Sequence, residues 1–292
     1  PTLPYGGYAT PHQDAVAQHH QRLDHALNLR VREQARRHNV SAASLMHLAW
    51  AQVLGQLSGR DSVVFGTVLL GRLQGGEGAE RALGVYINTL PLRLDLAGQP
   101  VSAALQQAHQ RLTGLLAHEH ARLALAQRCS GLPTGAGLFT ALLNYRHGSL
   151  AGQGEAARKA WEGIELVEAH ERSNYPLALS VDDLGLAFEL TAQTAQGIDA
   201  RRICSYVEHA LQQLLQALET SASEGLERLC VVPLAEARQL REAFNATHRD
   251  YPRDLSVHRL FEQQVARHPL SIAARDGAHS LTYGELNEQA NR

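Results

Sequence analysis

The chain has 292 residues, 44% of them hydrophobic, enough for one large domain or two ordinary ones. Lys+Arg number 27 against Asp+Glu 29, a formal net charge of −2, and aromatic residues make up 5%. That balance leaves no basic footprint for nucleic acid or an anionic membrane, and too few rings for base stacking.

Cys129, Cys204 and Cys230 are far apart and odd in number. They form no Cys-x-x-Cys pair and no disulfide framework, which points to a reducing, cytoplasmic setting. No apolar run reaches membrane-spanning length, and no signal-peptide pattern opens the chain. The opening Pro1-Thr2-Leu3-Pro4 has no Met, and Arg292 falls within a helical pattern, so a piece of a longer polypeptide is expected.

Residues 1–17, rich in Pro, Gly and Tyr, read as a linker. Leu23 to Val40 is expected to hold a short strand and then a basic helix with Arg30, Arg32, Arg36 and Arg37 solvated. Ser41 suits the N-cap of the next helix, whose Met46, Trp50, Val53, Leu54 and Leu57 recur at helical spacing. Gly59-Arg60-Asp61 is a turn, and the β-branched run Val63 to Leu70 is a strand buried on both faces. Val85 to Leu94 is a further strand, with Val85, Ile87 and Thr89 on one face and Tyr86, Asn88, Leu90 and Leu92 on the other. Pro91 cannot donate to a ladder, which puts this strand at an edge or ends it there, and Gly84 suits a bulge or a close backbone approach. Asn88 needs hydrogen-bond partners among apolar neighbours, and either pins a neighbouring loop or lines a channel.

One long amphipathic helix is predicted from Ser102 to Arg128. A strand, Leu138 to Tyr145, ends in Asn144-Tyr145-Arg146-His147, and residues 148–159 form a polar insertion. Two alternating strands, at Leu177 to Val181 and Leu186 to Leu190, are joined by the hairpin Asp182-Asp183-Leu184-Gly185. Asp199 caps a helix that buries Ile203, Tyr206, Val207, Ala210, Leu211, Leu214 and Leu218. Composition changes at Glu219, and the small, polar run Thr220 to Gly225 reads as a linker. Short helices follow at Leu234 to Phe244 and Ser256 to Ala266, then a hairpin about Asp276-Gly277.

His118-Glu119-His120 is not the spacing that puts two imidazoles on one helix face, so it reads as solvated and no metal site is expected. Gly71 to Gly78 is glycine-rich without the Lys-Ser/Thr ending of a phosphate loop, and reads as a flexible connection. Ser173 and Asn174 can hold a turn before the Leu177 strand.

Several stretches resemble the condensation domains of nonribosomal peptide synthetases. Gly84, Asn88, Thr89, Leu90 and Arg93 match the core pattern Ile/Val-Gly-x-Phe-Val-Asn-Thr followed by Leu and Arg. Ser173, Pro176 and Leu177 match the last motif, Arg-Asp-x-Ser-Arg-Asn-Pro-Leu. Of the motif His-Gln-Asp-x-Pro-Phe-Glu only His118 agrees. Leu281-Thr282-Tyr283-Gly284-Glu285-Leu286 resembles the first core motif of adenylation domains.

The resemblance implies an α/β fold: a chloramphenicol acetyltransferase-like lobe, a mixed sheet with packed helices, then a linker and the opening of an adenylation domain. Residues 1–219 would be the C-terminal lobe of a condensation domain, 220–250 the linker and 251–292 the adenylation start. The implied chemistry is amide-bond formation between thioesters on upstream and downstream carrier proteins, which present their substrates on phosphopantetheine arms. ATP and magnesium would serve only a complete adenylation domain. Further partners would be an N-terminal condensation lobe and the rest of the adenylation domain. Asn88, Thr89, Tyr145, Arg146, Ser173 and Asn174 are the substrate-channel candidates.

The family's catalytic signature is His-His-x-x-x-Asp-Gly, and His19-His20 with Asp24 satisfies all of it but the glycine. The match sits where the family has a plain strand, and His25 puts a Cβ where the loop needs glycine, so His20 and Asp24 read as a decoy. The fragment is therefore expected to be inactive alone. An epimerization-type domain of the same fold and a non-catalytic carrier-docking platform are the alternatives, the first disfavoured by the adenylation-like segment downstream.

Overall fold

A computed structural model describes residues 2, 16–72, 83–133, 136–148, 163 and 173–292. It divides into two compact units, Pro1–Ala237 and Arg238–Arg292.

The first unit is built on a six-stranded mixed sheet. Its strands are β1 (Val16–Arg22), β2 (Ser62–Leu69), β3 (Asn88–Asp95), β4 (Ala141–His147), β5 (Leu177–Asp183) and β6 (Phe188–Ala195), in the order β1-β6-β5-β4-β2-β3. β2, β4 and β5 run parallel, and β1–β6, β5–β6 and β2–β3 pair antiparallel. Pro91 lies in the edge strand β3, where its missing N–H interrupts no second ladder.

The helices are α1 (His25–Arg37), α2 (Ala42–Ser58), α3 (Val101–Leu116), α4 (Leu123–Cys129) and α5 (Ala200–Thr220). Asp24, Ser41 and Asp199 cap α1, α2 and α5 through their side chains. Phe65, Leu92, Leu143, Leu179 and Leu190 from alternate strand positions share one core with Trp50, Val53 and Leu54 of α2 and with Ile203, Val207 and Leu211 of α5. Those strand residues all point to one face of the sheet, which Tyr145 and Asp183 share, and the face opposite carries Arg22, Glu189, Asp182 and Arg146.

Five expectations are corrected. Residues 16–17 begin β1 and are not linker. The helix predicted over 102–128 is two helices, broken at 117–122, where Asn88 Nδ2 donates to the carbonyls of Glu119 (2.8 Å) and Ala121 (2.7 Å). Glu119 is fully buried in that turn, not on a solvated helix face. Arg30 and Arg32 are not simply solvated: Arg30 makes a two-bond pair with Glu219 (2.9 and 3.0 Å), and Arg32 donates to Asp183 (2.6 Å).

Fifth, the polar composition after Glu219 does not mark the end of packing. Leu226, Leu229 and Val231 join the core. The Val101 and Ser102 amides, at the start of an α3 that has no capping side chain, donate to the carbonyls of Glu224 (2.9 Å) and Ala222 (3.2 Å). Gln52 and Gln56 both donate to the Leu229 carbonyl (3.0 and 2.6 Å). Residues 221–232 thus form a strap over the helical layer. Beyond it, Glu236 accepts from Tyr206 (2.8 Å) and pairs with Arg202.

The second unit holds α6 (Val257–Arg267), the hairpin β7 (Ile272–Asp276) and β8 (His279–Thr282), and α7 (Tyr283–Ala290). Gly277 turns the hairpin at φ 55°, and Thr282 with Glu285 forms a reciprocal capping box on α7. The rings of Phe261 and Tyr283 lie 5.8 Å apart, and no residue of 238–292 is buried.

Candidate functional site

The carboxyl ends of the parallel strands β4 and β5 gather a cluster of hydrogen-bonded polar side chains. Asp183 is nearly buried and accepts from Arg32 (2.6 Å), the Tyr145 hydroxyl (2.7 Å) and the Gly185 amide (3.0 Å). Burial alone would raise its carboxyl, but the bonds from Arg32, Tyr145 and Gly185 outweigh that and hold it down at about 2. Burial and the same carboxylate push the Tyr145 phenol upward, so it is a hydrogen-bond donor and not a base. Arg146 makes a two-bond pair with Asp182 (2.7 and 2.8 Å) on the opposite face.

That opposite face is ordered in rows by strand register. One row runs His20, Thr191, Ser180, Asn144 across four strands, and the next runs Arg22, Glu189, Asp182, Arg146. Arg22 and Glu189 are 4.0 Å apart and exposed, so that pair contributes little. Ser180 and Asn144 are half-buried and make no side-chain hydrogen bond to the described residues.

The six channel candidates separate. Asn88 faces Leu69 at the end of β2, with Thr89 beside it, and the β2–β4 register sets that end level with Tyr145 and Arg146. Asn88 spends its amide on the 117–122 turn, and its Oδ1 accepts the Thr89 amide (3.0 Å). Ser173 and Asn174 precede Leu177, which pairs with Ala141 at the other end of the sheet. There Ser173 accepts the Tyr175 amide (3.2 Å), and the Tyr175 ring stacks on Phe139 at 5.3 Å.

His20 and Asp24 do not form a loop. His20 sits in β1, its Nδ1 2.9 Å from Thr191 Oγ1 and its Nε2 2.9 Å from Gln18 Nε2. Asp24 accepts the Leu27 amide (2.6 Å) as the cap of α1, and His25 is the first residue of that helix.

Sequence reading missed two buried polar residues. His47 is pushed down to about 4 by burial, against the Ala43 carbonyl it holds. The long-range partners of Asp183 were also unseen, since locally it reads only as a turn residue. Residues 149–162 and 73–82, containing most of the polar insertion and of the glycine-rich connection, lie outside the described residues.

Comparison with known families finds the condensation domain over residues 2–240. The chain belongs to the condensation-domain family. Among curated proteins, malpinin synthetase of Mortierella alpina is 46% identical over 293 aligned residues, covering 100% of this chain and 4% of that protein. Malpibaldin synthetase of the same organism is 44% identical, with 100% and 6% covered, so the chain spans a small part of these relatives. Bacitracin synthase 3 of Bacillus licheniformis is 30% identical over 90% of this chain and 4% of its own length.

Among solved structures, the condensation domain of the monacolin K polyketide synthase superposes with a TM-score of 0.61 at 18% identity, covering 77% of this chain and 52% of that one. A four-domain nonribosomal peptide synthetase bound to AMP and glycine gives 0.68 at 16%, covering 99% and 23%. These matches share the fold of this condensation lobe, a mixed sheet packed with helices. No helix among the described residues is long and apolar enough to cross a membrane.

Proposed function

We propose that this chain is the C-terminal lobe of a condensation domain, followed by the opening of an adenylation domain, in a cytoplasmic nonribosomal peptide synthetase. The family match over residues 2–240, on a helix-covered mixed sheet, carries the reading. In the parent protein the amine of an aminoacyl thioester attacks the carbonyl carbon of an acyl or peptidyl thioester. A C–N bond forms, the C–S bond breaks, the donor's phosphopantetheine thiol leaves and the amine gives up a proton. Holding two tethered substrates together supplies much of the rate.

Asn88, Thr89, Tyr145 and Arg146 border one end of the substrate channel in this reading, with Ser180 and Asn144 offering open hydrogen-bonding groups beside them. Ser173 and Asn174 border the other end. In this reading the catalytic histidine belongs to an N-terminal lobe, which the bond of the His20 ring to Thr191 and the capping of α1 by Asp24 support. Residues 251–292 open the adenylation domain, whose complete form would use ATP and magnesium. The capping box of Thr282 and Glu285 and the absence of any buried residue support a unit that needs more chain for its core.

The test supplies the parent and this chain separately with donor and acceptor carrier proteins loaded as thioesters. Mass spectrometry should find amide product from the parent and none above a blank from this chain. Carrier binding without product from the parent would make the lobe a docking platform.

A further inference from the structure

Val85, Ile87 and Thr89 alternate as a strand should, yet of these only Thr89 stands in a ladder. Residues 83–87 make no backbone hydrogen bond with the described residues. Leu83 is 97% exposed, Val85 93% and Ile87 60%. The segment is nonetheless held. The Arg72 guanidinium lies 5.2 Å from the Tyr86 ring centre. Gly71 approaches the Tyr86 carbonyl so closely that a Cβ there would come within 2.0 Å of the oxygen. Asn88 fixes the far end through the 117–122 turn. Tyr86 and Asn88 thus anchor a segment that offers apolar side chains from alternate positions and unpaired N–H and C=O groups between them. Such an edge is a template for another strand.

We infer that residues 83–87 complete their strand by pairing with an edge strand in the part of the parent condensation domain that has no counterpart in this chain, with Leu83, Val85 and Ile87 packed against it. This rests on the proposed function, which gives the parent a second lobe. The occupant is chosen on size: the superposition on a solved condensation domain leaves about half of that chain unmatched, a body large enough to supply both a strand and an apolar face.

Hydrogen–deuterium exchange on peptides covering residues 83–88 tests it, in this chain and in the parent's whole condensation domain. Fast exchange is expected in this chain, and slowing on the order of tenfold or more in the parent. Equal rates in both would overturn the pairing. So would protection in this chain alone, whether constant (a cover from within) or rising with concentration (a second copy). As a second measure, Val85→Asp should leave the unfolding midpoint of this chain unchanged and lower that of the parent domain. An unchanged parent counts against the inference. Protection in a parent that makes no amide would sink the catalytic reading and keep the pairing, and amide without protection would do the reverse.

Discussion

The imidazole of His47 accepts the Thr67 hydroxyl at 2.7 Å, because its other nitrogen, Nδ1, donates its proton to the Ala43 carbonyl at 2.6 Å. This ties α2 to β2 inside the core and fixes the neutral tautomer. Burial lowers the folded pKa to about 4, below the unfolded value near 6.5. The unfolded chain therefore binds the extra proton first. The contribution is fully present above about pH 6.5 and is lost as pH falls toward 4, about 2 kcal/mol of it by pH 5. Urea melts at pH 7, 6 and 5 should show this loss, and His47→Gln should flatten it.

Asp183 acts lower on the scale. Its folded pKa of about 2 lies below the unfolded value near 3.9, so its contribution is present above about pH 4 and disappears through pH 2. Asp183→Ala would leave Arg32 and Tyr145 without their shared acceptor. The Arg32 side chain is 26% exposed and can reach water, so the expected cost is about 1–3 kcal/mol, below that of a fully buried pair. Chemical denaturation at pH 7 measures it.

Asn88→Ala should cost about 1–3 kcal/mol by stranding the Glu119 and Ala121 carbonyls, and should speed amide exchange in residues 117–122. Unchanged stability together with lost condensation in the parent would move Asn88 from scaffold to channel.

Leu229→Ala should destabilise the first unit by about 2–5 kcal/mol, the range for a buried leucine. If residues 221–232 were a loose tether, the mutant would unfold like the wild type.

His20→Ala in the parent should leave condensation turnover within a few-fold, since His20 stands on the edge strand β1 with its ring bonded to Thr191 of β6. A drop on the order of a hundredfold, the scale of a lost acid–base group, would overturn the decoy reading.

What was legible in the sequence was local. Ser41 and Asp199 announce helix starts by a hydroxyl or carboxylate placed before an apolar stripe, and both cap as expected. Pro91 announces an edge, and Asp182-Asp183-Leu184-Gly185 a hairpin. The α3–α4 break was not legible, because the side chain that holds the turn is 31 and 33 residues from its acceptors. The strap was hidden by its polar residues, since composition cannot show that Leu226, Leu229 and Val231 are the ones turned inward. At the candidate site, Tyr145 and Arg146 were findable as polar residues at a strand end, whereas the Arg32–Asp183 link spans 151 positions.

The sheet's first strand also sets a timetable. His20 pairs with Thr191, 171 positions later, and among the described residues β1 pairs with β6 alone. During synthesis β2 and β3 can join soon after they emerge, while Val16–Arg22 must wait until Ala195 has been made. Through that interval its backbone has no native partner, and pairing at such separation is slow. A nascent chain of this lobe is therefore expected to depend on chaperones that shield extended segments until its last strand is translated.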